Sequence, residues 1–231
     1  MAHKTKPLSP KWSLIVADTP SEGLKDVVIE AVGARGDGVA EGPLFLPFTL
    51  PGETVRARGH GERAELVEVL SPSPDRVEPP CPHFFACGGC ALQHWAHPPY
   101  LAWKAAQIRT ALEREGIETE ILPPFAAPPG SRRRLALHAR RGKAGEARLG
   151  LKERGAWTLV DIEVCVIADP RLVAAFPALR RLAAGFLDHP KSAPTLHVTW
   201  TATGIDVDVT GVERKTGGRS ADAAMRGAEA A

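Results

Sequence analysis

Three of the four cysteines fall within ten residues, as Cys81-x5-Cys87-x2-Cys90, and the fourth, Cys165, lies far downstream. Thiolates are soft ligands, and four of them can hold a tetrahedral Zn²⁺ or an iron–sulfur cluster. Gly88 and Gly89, between two of the cysteines, let the backbone fold tightly enough for both sulfurs to meet one metal centre. Cys165 alone, inside Val164-Cys165-Val166-Ile167, would read as a core residue, but the triple does not. Spacing leaves zinc and iron–sulfur equally open, although zinc sites more often come as two symmetric close pairs, which are absent here. A disulfide framework is not expected of four cysteines in a cytosolic chain of this length.

The second chemical feature is charge. Between Arg132 and Arg154 stand 9 bases and 2 acids, whereas between Ser21 and Pro80 stand 11 acids and 6 bases, in a chain whose net charge is only +2. A compact basic block in a near-neutral chain points to a polyanion surface. From Ser131 the pattern alternates with period two: Arg133, Leu135, Leu137 and Ala139 share one face, and Arg132, Arg134, Ala136, His138 and Arg140 the other. A turn at Gly142–Gly145 leads to Leu149 and Leu151 alternating with Arg148 and Lys152. The expected element is a hairpin with an apolar inner face. Its outer face would carry Arg132, Arg134, His138, Arg140, Arg148 and Lys152 as candidate polyanion-binding residues, because guanidinium groups grip phosphates in bidentate fashion.

The elements that must position these residues follow from the same periodicities. Residues 1–24 read as irregular. Residues 25–72 read as four or five short strands around Val27–Val32, Leu44–Phe48, Thr54–Arg58 and Ala64–Leu70, separated by Gly36-Asp37-Gly38 and Pro51-Gly52 turns. That spacing suits a small barrel of the oligonucleotide-binding type. Ser71–Pro80, with four prolines, reads as a linker. A helix is expected from Pro98 to Gly116, with Leu101, Ala105, Ile108 and Leu112 packed on the core. Residues 81–210 read as a central α+β domain. It continues past the hairpin with a strand at Trp157–Val160 and a helical stretch at Leu172–Leu187 interrupted by Pro177. A second hairpin follows, with arms Leu196, Val198, Trp200 and Ile205, Val207, Val209. Residues 211–231 read as a polar, Ala/Gly-rich tail. The overall expectation is a mixed, β-rich α+β chain. No apolar run approaches the roughly 18–20 residues that span a bilayer, and Leu14–Ala17 is too short for a signal peptide, so the chain is expected to be cytoplasmic, without a membrane partner.

Cys81-Pro-His-Phe-Phe-Ala-Cys87-Gly-Gly-Cys90-Ala-Leu-Gln-His94 resembles the cluster loop of bacterial S-adenosylmethionine-dependent RNA uracil-5-methyltransferases. The upstream barrel resembles the TRAM domain that precedes this loop, and Arg132-Arg133-Arg134-Leu-Ala-Leu-His138 and Cys165 with Asp169-Pro170 sit where the family has counterparts. The resemblance covers about Asp26 to Val209. It implies a [4Fe-4S] cluster on Cys81, Cys87, Cys90 and Cys165, serving structure or RNA handling and generating no radicals. It also implies an RNA partner, ribosomal in preference to transfer RNA, and a monomeric chain.

The catalytic part of the family is not legible. Adding to the 6-carbon of uracil requires a nucleophile, in this family a further cysteine, and none remains after four are assigned. No strand–glycine–helix unit of the Rossmann type occurs to hold S-adenosylmethionine, which is expected only in an intact, full-length relative. Asp169-Pro170-Arg171 lacks the second proline of the family's catalytic Asp-Pro-Pro-Arg motif. His83, His94 and His138 read as structural rather than as acid–base residues. The expectation is therefore the RNA-binding front part of such an enzyme, itself inactive, and the tail, ending without completing an element, favours truncation. The alternative is a stand-alone, metal-stapled RNA-binding module.

Overall fold

The computed structural model describes residues 23–42 and 44–212. The expectations for the N-terminal segment through residue 22 and for the tail from residue 213 lie outside the described residues. The described chain is β-rich with three helices, in two compact units. One unit holds the described residues up to Pro79 together with Ala91–Pro124. The other holds Pro80–Cys90 and the described residues from Phe125 onward.

The first unit contains a closed five-stranded barrel: β1 (Leu24–Val32), β2 (Gly38–Ala40), β3 (Leu44–Leu46), β4 (Thr54–His60) and β5 (Arg63–Ser71). Its order is β1-β2-β3-β5-β4, antiparallel except for the bridge between β3 and β5, and β4 pairs with β1 to close it. Alternation turns Ile29, Ala40, Leu44, Leu46, Val55, Ala57 and Ala64 inward to form the barrel core. The short strand β2 was hidden in the sequence because Gly38 begins it, and glycine signals a turn. Here a side chain at 38 would collide with the Thr49 hydroxyl, so the close approach demands glycine.

The proline-rich stretch 71–80, read as a linker, is anchored through Arg76. Arg76 Nη2 reaches Glu53 Oε2 at 2.7 Å and the Phe48 carbonyl at 2.8 Å, while Glu53 also accepts from the Leu50 and Ser73 amides. Both charged side chains are essentially inaccessible to water. The helix α1 (His97–Arg114) also departs from expectation: none of its residues is fully buried, and Ile108 is 55% exposed. What packs is its aromatic first half. Tyr100 and Trp103, three residues apart and so on one helical face, join Val32, Leu50, Leu92 and Trp95, and Trp103 Nε1 donates to the Val32 carbonyl at 3.0 Å.

The second unit is a five-stranded antiparallel sheet, ordered β10-β9-β6-β7-β8. The strands are β6 (Arg134–Arg141), β7 (Ala147–Lys152), β8 (Leu159–Asp161), β9 (Thr195–Thr201) and β10 (Gly204–Thr210). The two expected hairpins are thus joined edge to edge, with Leu135 opposite Val198 and Leu137 opposite Leu196. Helices α2 (Pro170–Ala174) and α3 (Phe176–Ala184) supply Leu172, Phe176, Leu179 and Ala183 to the core beneath this sheet. Pro177 does not interrupt a helix: it stands in the first turn of α3, where its missing N–H is harmless, and the break falls two residues earlier, at Ala175.

A cysteine loop and a basic sheet face in one unit

The backbone fixes the cysteine loop before any side chain does. The Cys87 amide donates to the His83 carbonyl at 2.7 Å, and the Gly88 amide to the Lys152 carbonyl, at the end of β7, at 2.8 Å. Cys87 and Glu153 form an isolated antiparallel bridge. A Cβ at Gly88 would press within about 3 Å of the Lys152, Glu153 and Arg154 backbone, so this glycine serves close backbone packing as well as tight turning. His83 has the structural role expected of it, since its Nε2 accepts from the Glu163 amide at 3.4 Å, two residues before Cys165.

All four cysteines lie in this unit, half-buried and outside any disulfide. Burial pushes the Cys87 thiol up, the Gly89 amide donating to its sulfur at 3.4 Å pulls it down, and Cys90, Cys81 and Cys165 push it up again. Cys87 thus feels the charge of the other three thiols. Among the described residues no three Cys, His, Asp or Glu side chains close into a metal-holding group. In donor type the set fits a thiolate-held centre, and neighbouring thiolates repel until a cation between them reverses the sign. Cys165 also packs against the sheet core, from the irregular segment between β8 and α2.

The solvent face of the sheet gathers the basic residues. Pairing sets Arg140 opposite Arg148 and His138 opposite Gly150, and residues directly opposite share a face, so Arg134, His138, Arg140, Arg148 and Lys152 form one strip. Arg132 lies just before β6, bridged to Ala168, and lines an open pocket of about 640 Å³ at the sheet end with Arg133, Arg134, Thr199, Trp200 and Thr201. Not every cation of the strip is equally available: Arg148 Nε lies 3.5 Å from Asp161, which Arg180 also engages. Burial, then Lys152, Arg140 and His197, pushes His138 below its ordinary value of 6.5, and its Nδ1 lies 2.9 Å from the Thr195 hydroxyl.

Several residues of this face were not singled out from the sequence. Thr195, His197 and Thr199 are brought beside the strip by the β6–β9 pairing, and their alternation with Leu196 and Val198 was the available signal. At the sheet end Arg171 lies over the Trp200 ring at 4.1 Å and is gripped through two oxygens by Asp169, at 2.8 and 2.6 Å. Asp169 is also the N-cap of α2, accepting from the Arg171 amide, and these contacts hold its carboxyl down at about 2. This ties Asp169-Pro170-Arg171 to local architecture. No described helix is long and apolar enough to cross a membrane.

No family model matches the chain. Among curated proteins it is similar to an uncharacterized RNA methyltransferase of Caulobacter vibrioides, 65% identical over 213 residues, which are 90% of this chain and 51% of the relative. An RNA methyltransferase of Brucella suis is 40% identical over 80% of the chain and 45% of its own length. The 23S rRNA (uracil(1939)-C(5))-methyltransferase RlmD of Acidithiobacillus ferrooxidans is 39% identical over 77% of the chain and 42% of its own length. The chain spans about half the length of the curated relatives it matches. With 65% identity over 90% of its length to one relative and 39% over 77% to another, the chain belongs, as a portion of about half their length, to the family of RNA methyltransferases that includes the 23S rRNA uracil-5-methyltransferases.

Proposed function

We propose that this chain is the RNA-binding, cluster-carrying N-terminal part of an RNA uracil-5-methyltransferase, with ribosomal RNA as its partner in preference to transfer RNA. The observation that carries the reading is the strip of Arg134, His138, Arg140, Arg148 and Lys152 on one sheet face, in a chain whose relatives are RNA methyltransferases. In this reading residues 25–72 are the TRAM-type, oligonucleotide-binding-like barrel and 81–210 the central domain, of which Ala91–Pro124 belong to the barrel's compact unit. Cys81, Cys87, Cys90 and Cys165 would hold a [4Fe-4S] cluster. When bound, such a cluster supplies a staple of iron–thiolate bonds between the loop and the segment carrying Cys165.

The chain's own residues divide the work of holding RNA. Arg134 and Arg140 meet phosphates through planar, two-pronged donors, Lys152 through a point charge, and Arg132 extends the surface to the sheet-end pocket. His138, whose proton affinity burial and the surrounding cations lower, gains its proton more readily once an anion offsets those cations. The barrel contributes less, because Arg56 is already held by Asp26 at 2.9 and 3.1 Å and by Glu68 at 3.4 Å. Donor binding and methyl transfer belong to the intact, longer enzyme.

Titration of the full chain with a fluorescent hairpin of 23S ribosomal RNA, and with transfer RNA, tests the proposal. Tighter binding of the ribosomal hairpin is expected. Equal binding would remove the ribosomal assignment, and no binding of either would overturn the reading.

A further inference from the structure

Trp157 is 81% exposed, in the turn between β7 and β8. Leaving a large indole in water forgoes more apolar burial than exposing almost any other side chain. Yet this one is not loosely hung. Lys152 Nζ lies 3.7 Å from its ring centroid, a close cation–π contact that covers part of the ring. The turn is closed by the Glu153 amide donating to the Thr158 carbonyl at 2.9 Å, with Gly155 at a φ of 69°. Its base is anchored by the Gly88–Lys152 hydrogen bond and the Cys87–Glu153 bridge. Its neighbours in the turn, Glu153, Arg154, Gly155, Ala156 and Thr158, form no apolar cluster of the kind a protein interface buries.

We propose that Trp157 is a stacking platform for one unpaired RNA base at the Lys152 end of the basic strip. The proposal rests on the RNA-binding reading and adds single-stranded character to the partner. An exposed aromatic ring beside a track of cations is the arrangement by which proteins hold single strands: cations follow the phosphates, and the ring takes a base without regard to its identity. Lys152 has both duties here, orienting the indole and lying in line with Arg148 on the same strand face.

The test uses the full chain, a fluorescent oligouridine, and an oligomer of the same length with abasic positions. W157A should weaken oligouridine binding about 5- to 100-fold and leave the slope of log K against log salt unchanged. W157F should retain most of the affinity, and wild type and W157A should bind the abasic oligomer equally. Because the ring lies in solvent, W157A should melt like wild type. If W157A binds oligouridine as wild type does while a variant lacking Arg132, Arg134 and Arg140 loses it, the platform is refuted and the basic strip stands. Equal losses on both oligomers would also overturn it, by showing an effect through Lys152 alone. If wild type binds the ribosomal hairpin but neither oligomer, the platform is refuted and the RNA-binding reading stands; if it binds none of the three, both fall.

Discussion

Replacing Arg132, Arg134 and Arg140 together with Gln should change how RNA binding responds to salt, not merely how tight it is. Each phosphate neutralised on a single strand contributes roughly 0.7 to the slope of log K against log salt, through counterion release. Arg134 is exposed on β6, Arg140 stands opposite Arg148, and Arg132 lines the pocket at the sheet end. Three lost contacts should flatten the slope by about 2, so the wild-type advantage should shrink roughly 15- to 20-fold between about 50 and 200 mM salt. Arg148 is left out of the set because Asp161, 3.5 Å away, already offsets part of its charge. The barrel double variant R56Q/R58Q is the control. Arg56 is ion-paired with Asp26 and Glu68, so it has few counterions to release, and its loss should leave the slope nearly unchanged. Fluorescence titrations of one RNA hairpin at four or five salt concentrations provide the slopes. An unchanged slope in the triple variant, or a larger loss in the barrel variant, would refute the assignment of the RNA surface to the sheet.

Other consequences are as direct. Anaerobically purified protein should be brown and carry about four irons per chain on cysteine thiolates, and C165S should lose them; stoichiometric zinc without iron would exclude the cluster. Calorimetry should detect no S-adenosylmethionine binding to this chain, because the open described sheet is antiparallel throughout and offers no parallel strand–glycine–helix crossover. Arg76→Met leaves the buried Glu53 carboxylate without its cation, only the Leu50 and Ser73 amides still donating to it, and should cost about 3–5 kcal/mol in urea unfolding; a loss below about 1 kcal/mol would show the pair to be dispensable. Asp169 titrates at about 2 in the folded chain against 3.8 ordinarily, so its contribution is present above pH 3.8 and disappears as pH falls towards 2. D169N should remove that component of the acid transition. His138, pushed below 6.5, makes the folded state the weaker proton acceptor. Stability should therefore fall as pH drops below 6.5, while RNA affinity should rise over the same range; both trends should vanish in H138Q.

Local chemistry and periodicity carry much of this protein in its sequence. Alternation by itself determined which face of Arg134–Arg141 is apolar, because successive side chains on a strand point to opposite sides whatever the strand pairs with. Spacing nominated Cys81, Cys87 and Cys90 together, since a short loop with two glycines has few other ways to direct three sulfurs. Where residues had to meet across long stretches of chain, periodicity was silent. Nothing local says that β6 pairs with β9 as well as β7, yet that pairing brings Thr195 and His197 to the basic strip. The helical pattern of Leu101, Ala105, Ile108 and Leu112 promised a buried stripe, but burial depends on what stands opposite. Tyr100 and Trp103 found the partners instead. The prolines around Arg76 read only as a linker and gave no sign that a buried carboxylate at Glu53 holds that segment down. Likewise the indole of Trp157 reads in sequence as one more strand residue. Only the β7–β8 turn, fastened to the cysteine loop through backbone hydrogen bonds, decides that it faces water beside a lysine. Side-chain type and alternation are properties of neighbours along the chain; pairing, burial and charge neutralisation are properties of neighbours in space.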